Sequence, residues 1–308
     1  MSLSGRESYR DELTKLASID ERILCLEADL GGSNHQFEAN HPNRFFNMGI
    51  AEMASIDIAA GLSEGGHIPF FSTFASFASL RSAESMKLAM GYMEKNIKVV
   101  APYGGVSGGW FGTTHHALED IAIVRSFQKI KIACPHGEED TRKVVREAAN
   151  SNKPYYIRLS RNDSYESLDR ALDHDCSHPL FHYKGESDLC LISIGEQGTV
   201  LCKEMESLYP DVSHIHLCYV DYESLQDHIT EIGNAAERLL VVEEHRLSGG
   251  TASLLSILMP EKKVYSHDCG EDWPIYGGTH QETLEYLGFS SNVLREKIDS
   301  MKGKKLSI

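Results

Sequence analysis

Short runs of apolar residues alternate with segments of helical period along the first half of the chain. ERILCLEADL (21–30), IPFF (68–71), KVVAPYG (98–104), KIACP (131–135) and YYIRLS (155–160) predict strands. Residues 49–64, 73–90 and about 138–150 predict helices, the first stopped by Gly65-Gly66. Strands that alternate with helices in this way predict a parallel sheet covered on both faces. A polar, histidine-rich stretch, SRNDSYESLDRALDHDCSHP (160–179), then breaks the pattern and reads as a linker. Beyond it DLCLISIG (188–195), SHIHLCYV (213–220) and RLLVVEE (238–244) predict strands, with helices at about 197–208, 223–233 and 250–258. The expected fold class is therefore α/β, with two consecutive domains, each a mostly parallel sheet flanked by helices. Their expected bounds are 1–165 and 180–308, with 166–179 as the linker.

One predicted helix carries an anomaly. NMGIAEMASIDIAAGL (47–62) has the small and branched apolar residues of a buried helix, yet Glu52 lies among them with no basic residue in the run. A carboxylate withdrawn from water costs several kcal/mol, roughly, unless it is protonated or paired. Two further stretches stand out. PFFSTFASFASLRSAES crowds Phe70, Phe71, Phe74 and Phe77 into a few residues, and a core role for Phe74 and Phe77, three apart, accounts for them as well as a ligand does. GGVSGGWFGTTHHALEDIA sets glycines around a tryptophan ahead of Thr113, Thr114, His115 and His116, which packs poorly but suits a loop brought close to a ligand.

Composition narrows the function classes. At 308 residues and 41% hydrophobic the chain can bury two ordinary cores. A net charge of −15 without any basic stripe argues against nucleic acid. No apolar run approaches the ~20 residues of a membrane helix, and MSLSGRESYRDEL carries no apolar signal region, so a cytoplasmic location is expected. Seven singly spaced cysteines without CxxC fit neither a disulfide framework nor a zinc site, and no metal ligand is expected in this chain.

The order of these motifs resembles the C-terminal half of transketolase, in the form of the small subunit of a split enzyme. The resemblance is carried by Arg6, ADLGGSN (28–34), RFFNMGIAEM (44–53), IPFFSTFASF (68–77), GTTHHALEDIA (112–122), RLSRND (158–163) and VVEEHRLSGG (241–250). It implies a pyrimidine-binding domain followed by the transketolase C-terminal domain. It also implies thiamine diphosphate as cofactor and transfer of a two-carbon ketol unit between sugars. Glu52 then falls where the family bonds the pyrimidine ring nitrogen and relays a proton. A carboxylic acid in a dry site shares a proton with a ring nitrogen near neutral pH more readily than a solvated one. Phe74 and Phe77 fall where the family holds that ring, and Leu80 replaces a third aromatic, which implies a looser pocket. His115 falls where the family contacts the donor hydroxyl and carbonyl. His116 has no such match and reads as a loop histidine satisfied by backbone.

The family's GDG motif, which holds the diphosphate and its Mg2+ or Ca2+, is missing from this sequence. The resemblance thus implies a partner, an N-terminal transketolase-like subunit that carries the metal, in an α2β2 heterotetramer with the cofactor at an interface. Arg6, Ser33 and Arg161 match positions that grip the substrate phosphate, and two guanidinium groups with a hydroxyl suit a tetrahedral oxyanion. Two positions depart from the pattern. Phe111 stands where an aspartate receives a substrate hydroxyl, and Tyr103 where a histidine helps hold the phosphate, which implies a modified sugar. Two alternatives stay open: the beta chain of a 2-oxo acid dehydrogenase and a non-catalytic scaffold. A truncated deoxyxylulose phosphate synthase is less expected, because residue 1 begins where a split subunit would.

Overall fold

The computed structural model describes residues 2–30, 35–161, 163–168, 173–275 and 277–303. Eleven strands are present among them: β1 (Ile23–Glu27), β2 (Phe45–Asn47), β3 (Ile68–Ser72), β4 (Lys98–Ala101), β5 (Lys131–Ala133), β6 (Tyr155–Arg158), β7 (Leu180–Tyr183), β8 (Leu189–Ile194), β9 (Ser213–Leu217), β10 (Arg238–Glu243) and β11 (Lys263–His267). The first six form one sheet in the order β2-β1-β3-β4-β6-β5, parallel throughout. The other five form a second sheet, β11-β10-β8-β9-β7, parallel except where β7 pairs antiparallel with β9. The expected α/β class with two mostly parallel sheets is what the chain adopts.

The strand IPFFS shows why a parallel sheet reads as an unbroken apolar run. All five of its residues are buried, with Phe70 packed into one apolar cluster and Phe71 into another on the opposite face. Truncating either ring to alanine would cost about 3–5 kcal/mol. The two sheets share a core, since one cluster includes Leu26 and Phe71 of the first and Ile192 and Val241 of the second. A short antiparallel bridge joins them, in which Cys134 N–H donates to Cys218 O at 2.7 Å and Val220 N–H to Ile132 O at 2.9 Å.

Several elements differ from the expectation. The short strands β2, β7 and β11 have no counterpart in the sequence pattern, because three to five residues give too little periodicity. The expected 73–90 helix is instead two wide π-type turns, Phe77–Arg81 and Lys87–Tyr92, around a short α-helix, Ala83–Met86. The expected 49–64 helix begins only at Glu52, because the backbone turns at Gly49 with φ of +63°, a conformation that favours glycine. The described part of 160–179 holds neither helix nor strand.

Candidate active site

In a parallel sheet every strand ends at the same edge, so the segments that follow neighbouring strands meet there. Here β2 delivers Glu52, β1 delivers Leu30, β3 delivers Phe74 and Phe77, β4 delivers Tyr103, and β6 delivers Arg161. Leu30, Phe74 and Tyr103 form a small buried cluster with Phe77 against it. The Phe74 ring lies 4.4 Å from Tyr103 and 5.4 Å from Phe77 between centroids. Tyr103 has a φ of +66°, unusual for a residue with a side chain, and is buried at the turn into the glycine loop.

The glycine loop comes down over this cluster. His115 lies edge-on to Phe74 at 5.1 Å and to Phe77 at 4.9 Å, and it is stacked with Phe111 at 4.9 Å. Its Nδ1 is paired with Thr114 Oγ1 at 2.9 Å. Burial first, and then the neighbouring Arg81 charge, lower its pKa below the ordinary histidine value, so the ring is neutral at pH 7. Arg161 lies over both Tyr103 and Phe111, 5.3 and 5.2 Å from the ring centroids. Arg6 donates to Leu30 O at 3.1 Å, and burial followed by Arg10 lowers its pKa, with Tyr103 and Arg161 among the groups that act on it. Ser33 lies outside the described residues. Glu52, Phe74, Phe77, Tyr103, Phe111, His115, Arg161 and Arg6 are thus brought to one edge of the first sheet.

Glu52 departs from the expectation of an unpaired carboxylate. Only 2% exposed, it accepts a 2.7 Å hydrogen bond at Oε1 from Arg81 Nη1, while Oε2 is buried without a partner among the described residues. The run 47–62 holds no basic residue, but the wide turn that begins at Phe77 brings Arg81 across from 29 residues away. The pocket is also less open than Leu80 implied. Leu80 is 57% exposed and takes no part in the ring cluster, and the face of Phe77 is covered by Arg81 instead, its Cζ 3.9 Å from the ring centroid. The signal that could have revealed Arg81 is its i+4 spacing from Phe77, which puts both on one side of a helical turn.

The second half holds the loop in place. Glu244 Oε1 accepts from Val106 N–H at 2.7 Å and pairs with His280 Nε2 at 2.9 Å. A side chain at Gly105, whose φ is +63°, would put its Cβ 2.2 Å from that carboxylate, so only glycine fits there. Burial opposes charge on His280, but the carboxylates of Glu244 and Asp163 overcome it and raise its pKa to about 10. Thr113 Oγ1 donates to Pro274 O at 2.9 Å. Arg158 reaches across the same joint, binding Asp120, Ala117 O and Glu244 O at 2.8, 3.1 and 2.9 Å. His116 is buried with Nε2 3.4 Å from Gly109 O, in line with a loop histidine held by backbone. Among the described residues no helix is long and apolar enough to cross a membrane.

The family description "transketolase, pyrimidine binding domain" matches residues 1–166, the segment that builds the first sheet. The chain belongs to the transketolase family. It is 30% identical over 299 residues to an apulose-4-phosphate transketolase subunit of Phocaeicola vulgatus, a match that covers 92% of this chain and 93% of that one. A 6-deoxy-6-sulfo-D-fructose transketolase subunit of Clostridium sp. is 34% identical over 158 residues, 51% of this chain and 49% of its own. Among solved structures, a split-gene transketolase described as an inactive beta4 tetramer superposes over the full length of both chains with a TM-score of 0.84 and 27% identity. The two-sheet architecture is therefore the transketolase one, and the aromatic edge of the first sheet lies within the segment that matches the family.

Proposed function

We propose that this chain is the small subunit of a split transketolase, which supplies the pyrimidine end of a thiamine diphosphate site and moves a two-carbon ketol unit between sugars. The observation that carries the reading is Glu52, a buried carboxylate with one oxygen unpartnered, set beside the Phe74–Phe77–His115 ring cluster. A dry acceptor next to aromatic faces fits a flat aminopyrimidine, so the residues present suit one end of that cofactor. When bound, thiamine diphosphate supplies the nucleophilic carbon and the electron sink for cleaving the bond beside a ketose carbonyl. Glu52 bonds the ring nitrogen and holds or releases a proton there. Phe74 and Phe77 orient the ring and keep water out. Neutral His115 can both donate and accept, which suits the hydroxyl and carbonyl of the donor sugar.

The diphosphate and its Mg2+ or Ca2+ fall to a partner N-terminal subunit in an α2β2 assembly, since the sequence carries no GDG motif. Residues 1–165 are read as the pyrimidine-binding domain and 180–308 as the C-terminal domain, which braces the glycine loop through Glu244 and His280.

The substrate is a modified sugar bearing an anionic group. Arg6 and Arg161 are the anion ligands among the described residues, with Ser33 beside them in the sequence resemblance. Phe111 stacks on His115 and supports Arg161, so it lines the substrate path with an apolar ring. A sugar hydroxyl placed against that ring would lose its hydrogen bonds, which selects against the standard sugar at this position. The relatives named for apulose 4-phosphate and 6-deoxy-6-sulfofructose support this reading.

The test is to purify the chain with a candidate large subunit and to assay ketose donors and aldehyde acceptors by mass spectrometry, with and without thiamine diphosphate and Mg2+. Turnover is expected only with both subunits and cofactor, and with modified sugars ahead of xylulose 5-phosphate plus ribose 5-phosphate. Turnover by the small subunit alone would overturn the split-site reading. Equal efficiency on the standard pair would overturn the substrate assignment.

A further inference from the structure

The guanidinium of Arg81 stands where a flat nitrogenous ring would stack. Its Cζ lies 3.9 Å from the Phe77 ring centroid, a stacking separation, and its Nη1 donates to Glu52 Oε1 at 2.7 Å. An aromatic face beneath a planar group and a buried carboxylate at its edge are the two contacts that the proposed function reserves for the aminopyrimidine. A guanidinium, planar and rich in N–H donors, imitates both. The two partners differ in freedom. Glu52 is 2% exposed and cannot follow a ligand, whereas the Arg81 side chain is 45% exposed and can swing outward from its turn.

We propose that Arg81 is a built-in stand-in for the pyrimidine: it pairs with Glu52 and covers Phe77 while no ligand is bound, and it leaves that face when the ring enters. The inference rests on the function proposed above. Its physical basis is an asymmetry. A buried carboxylate left without a partner is strongly destabilising, so the unliganded chain gains from the pairing. A half-exposed guanidinium is held only weakly, so a ring that also stacks on Phe77 can displace it. The cost appears in affinity, because a ligand binds only the fraction of molecules in which the slot is open. A slot filled by Arg81 nine-tenths of the time, as an illustration, weakens binding about tenfold. The same arrangement places a positive charge near His115 until the ring arrives, in keeping with the contribution of Arg81 to the low pKa of that histidine.

The test uses the complex reconstituted with its large subunit. Equilibrium affinity for thiamine diphosphate with Mg2+ is measured by calorimetry for the wild type and for Arg81→Ala, Arg81→Gln, Glu52→Gln and Phe77→Ala, with circular dichroism to verify folding. Arg81→Ala is expected to lower Kd about tenfold and Arg81→Gln to lower it by a smaller factor, while Glu52→Gln and Phe77→Ala raise it. If either folded Arg81 variant binds no more tightly than wild type while Glu52→Gln and Phe77→Ala bind more weakly, the stand-in is overturned and the site assignment survives. If Glu52→Gln and Phe77→Ala leave Kd unchanged, the site assignment is overturned and the stand-in falls with it.

Discussion

Each half of the molecule buries a glutamate to the same depth and treats it differently. Glu243, at the end of β10 in the second sheet, gives Oε2 to Thr251 N–H at 2.7 Å and Oε1 to Thr251 Oγ1–H at 2.5 Å, so both oxygens are bound by the start of the next helix. Glu52, at the edge of the first sheet, has one oxygen tied to a half-exposed arginine and the other tied to nothing among the described residues. Both are 2% exposed. Burial alone therefore does not distinguish a structural carboxylate from a working one; the state of its hydrogen bonds does. A buried acceptor satisfied by its own fold stabilises that fold, and one left partly open has capacity for a ligand.

The comparison breaks most sharply on Glu52→Gln. In the assembled complex this change is expected to lower turnover by roughly two to four orders of magnitude at saturating cofactor, with the melting temperature little changed, because a proton relay is lost and the shape is kept. Near-wild-type turnover would make Glu52 the equivalent of Glu243. The converse change, Glu243→Gln, is expected to cost about 1–3 kcal/mol of stability, read by chemical denaturation, with turnover per folded molecule retained.

The next effect sharpens the contrast between the acidic and the basic ends of the first sheet's edge. Arg161→Glu is expected to raise the Michaelis constant about tenfold or more for a phosphorylated or sulfonated substrate, and to leave a short uncharged aldehyde nearly unaffected. Equal effects on the two substrates would remove Arg161 from the anion site.

The smallest expected effect concerns the brace between the halves. His280 has its pKa raised to about 10 in the folded chain by Glu244 and Asp163 acting against burial, and the unfolded value is about 6.5. Its contribution to stability is thus fully present below about pH 6.5 and is lost as pH rises through about 10. The melting temperature should fall by a few degrees between pH 7 and 10.5, and His280→Gln should remove most of that pH-dependence. A variant with an unchanged pH profile would show that His280 does not brace the loop.

Much of the first half was legible in sequence because a parallel sheet makes its strands apolar on both faces. IPFFS and YYIRLS announce themselves by composition, and a parallel sheet forces the segments after them to a common edge. Phe74, Phe77 and His115 were legible as well, through the order of their motifs. Arg81 was not, although it follows the same aromatic run. Its meeting with Glu52 depends on the width of one turn and on the packing of two helices, which no local pattern encodes. Leu80 misled for the same reason: position in the motif suggested a pocket wall, and the turn sends it to solvent.

The antiparallel β7 and the brace of Glu244 and His280 were likewise beyond reach. Four apolar residues cannot reveal their direction, and 36 residues separate the two side chains. What the sequence determined by itself was the alternation of strands and helices, the depth of Glu52 and the aromatic company around it, because burial periodicity and motif order are local properties of a chain. What only the tertiary structure decided was which of those buried polar groups were already satisfied, since hydrogen-bond partners distant in sequence are chosen by how the elements pack.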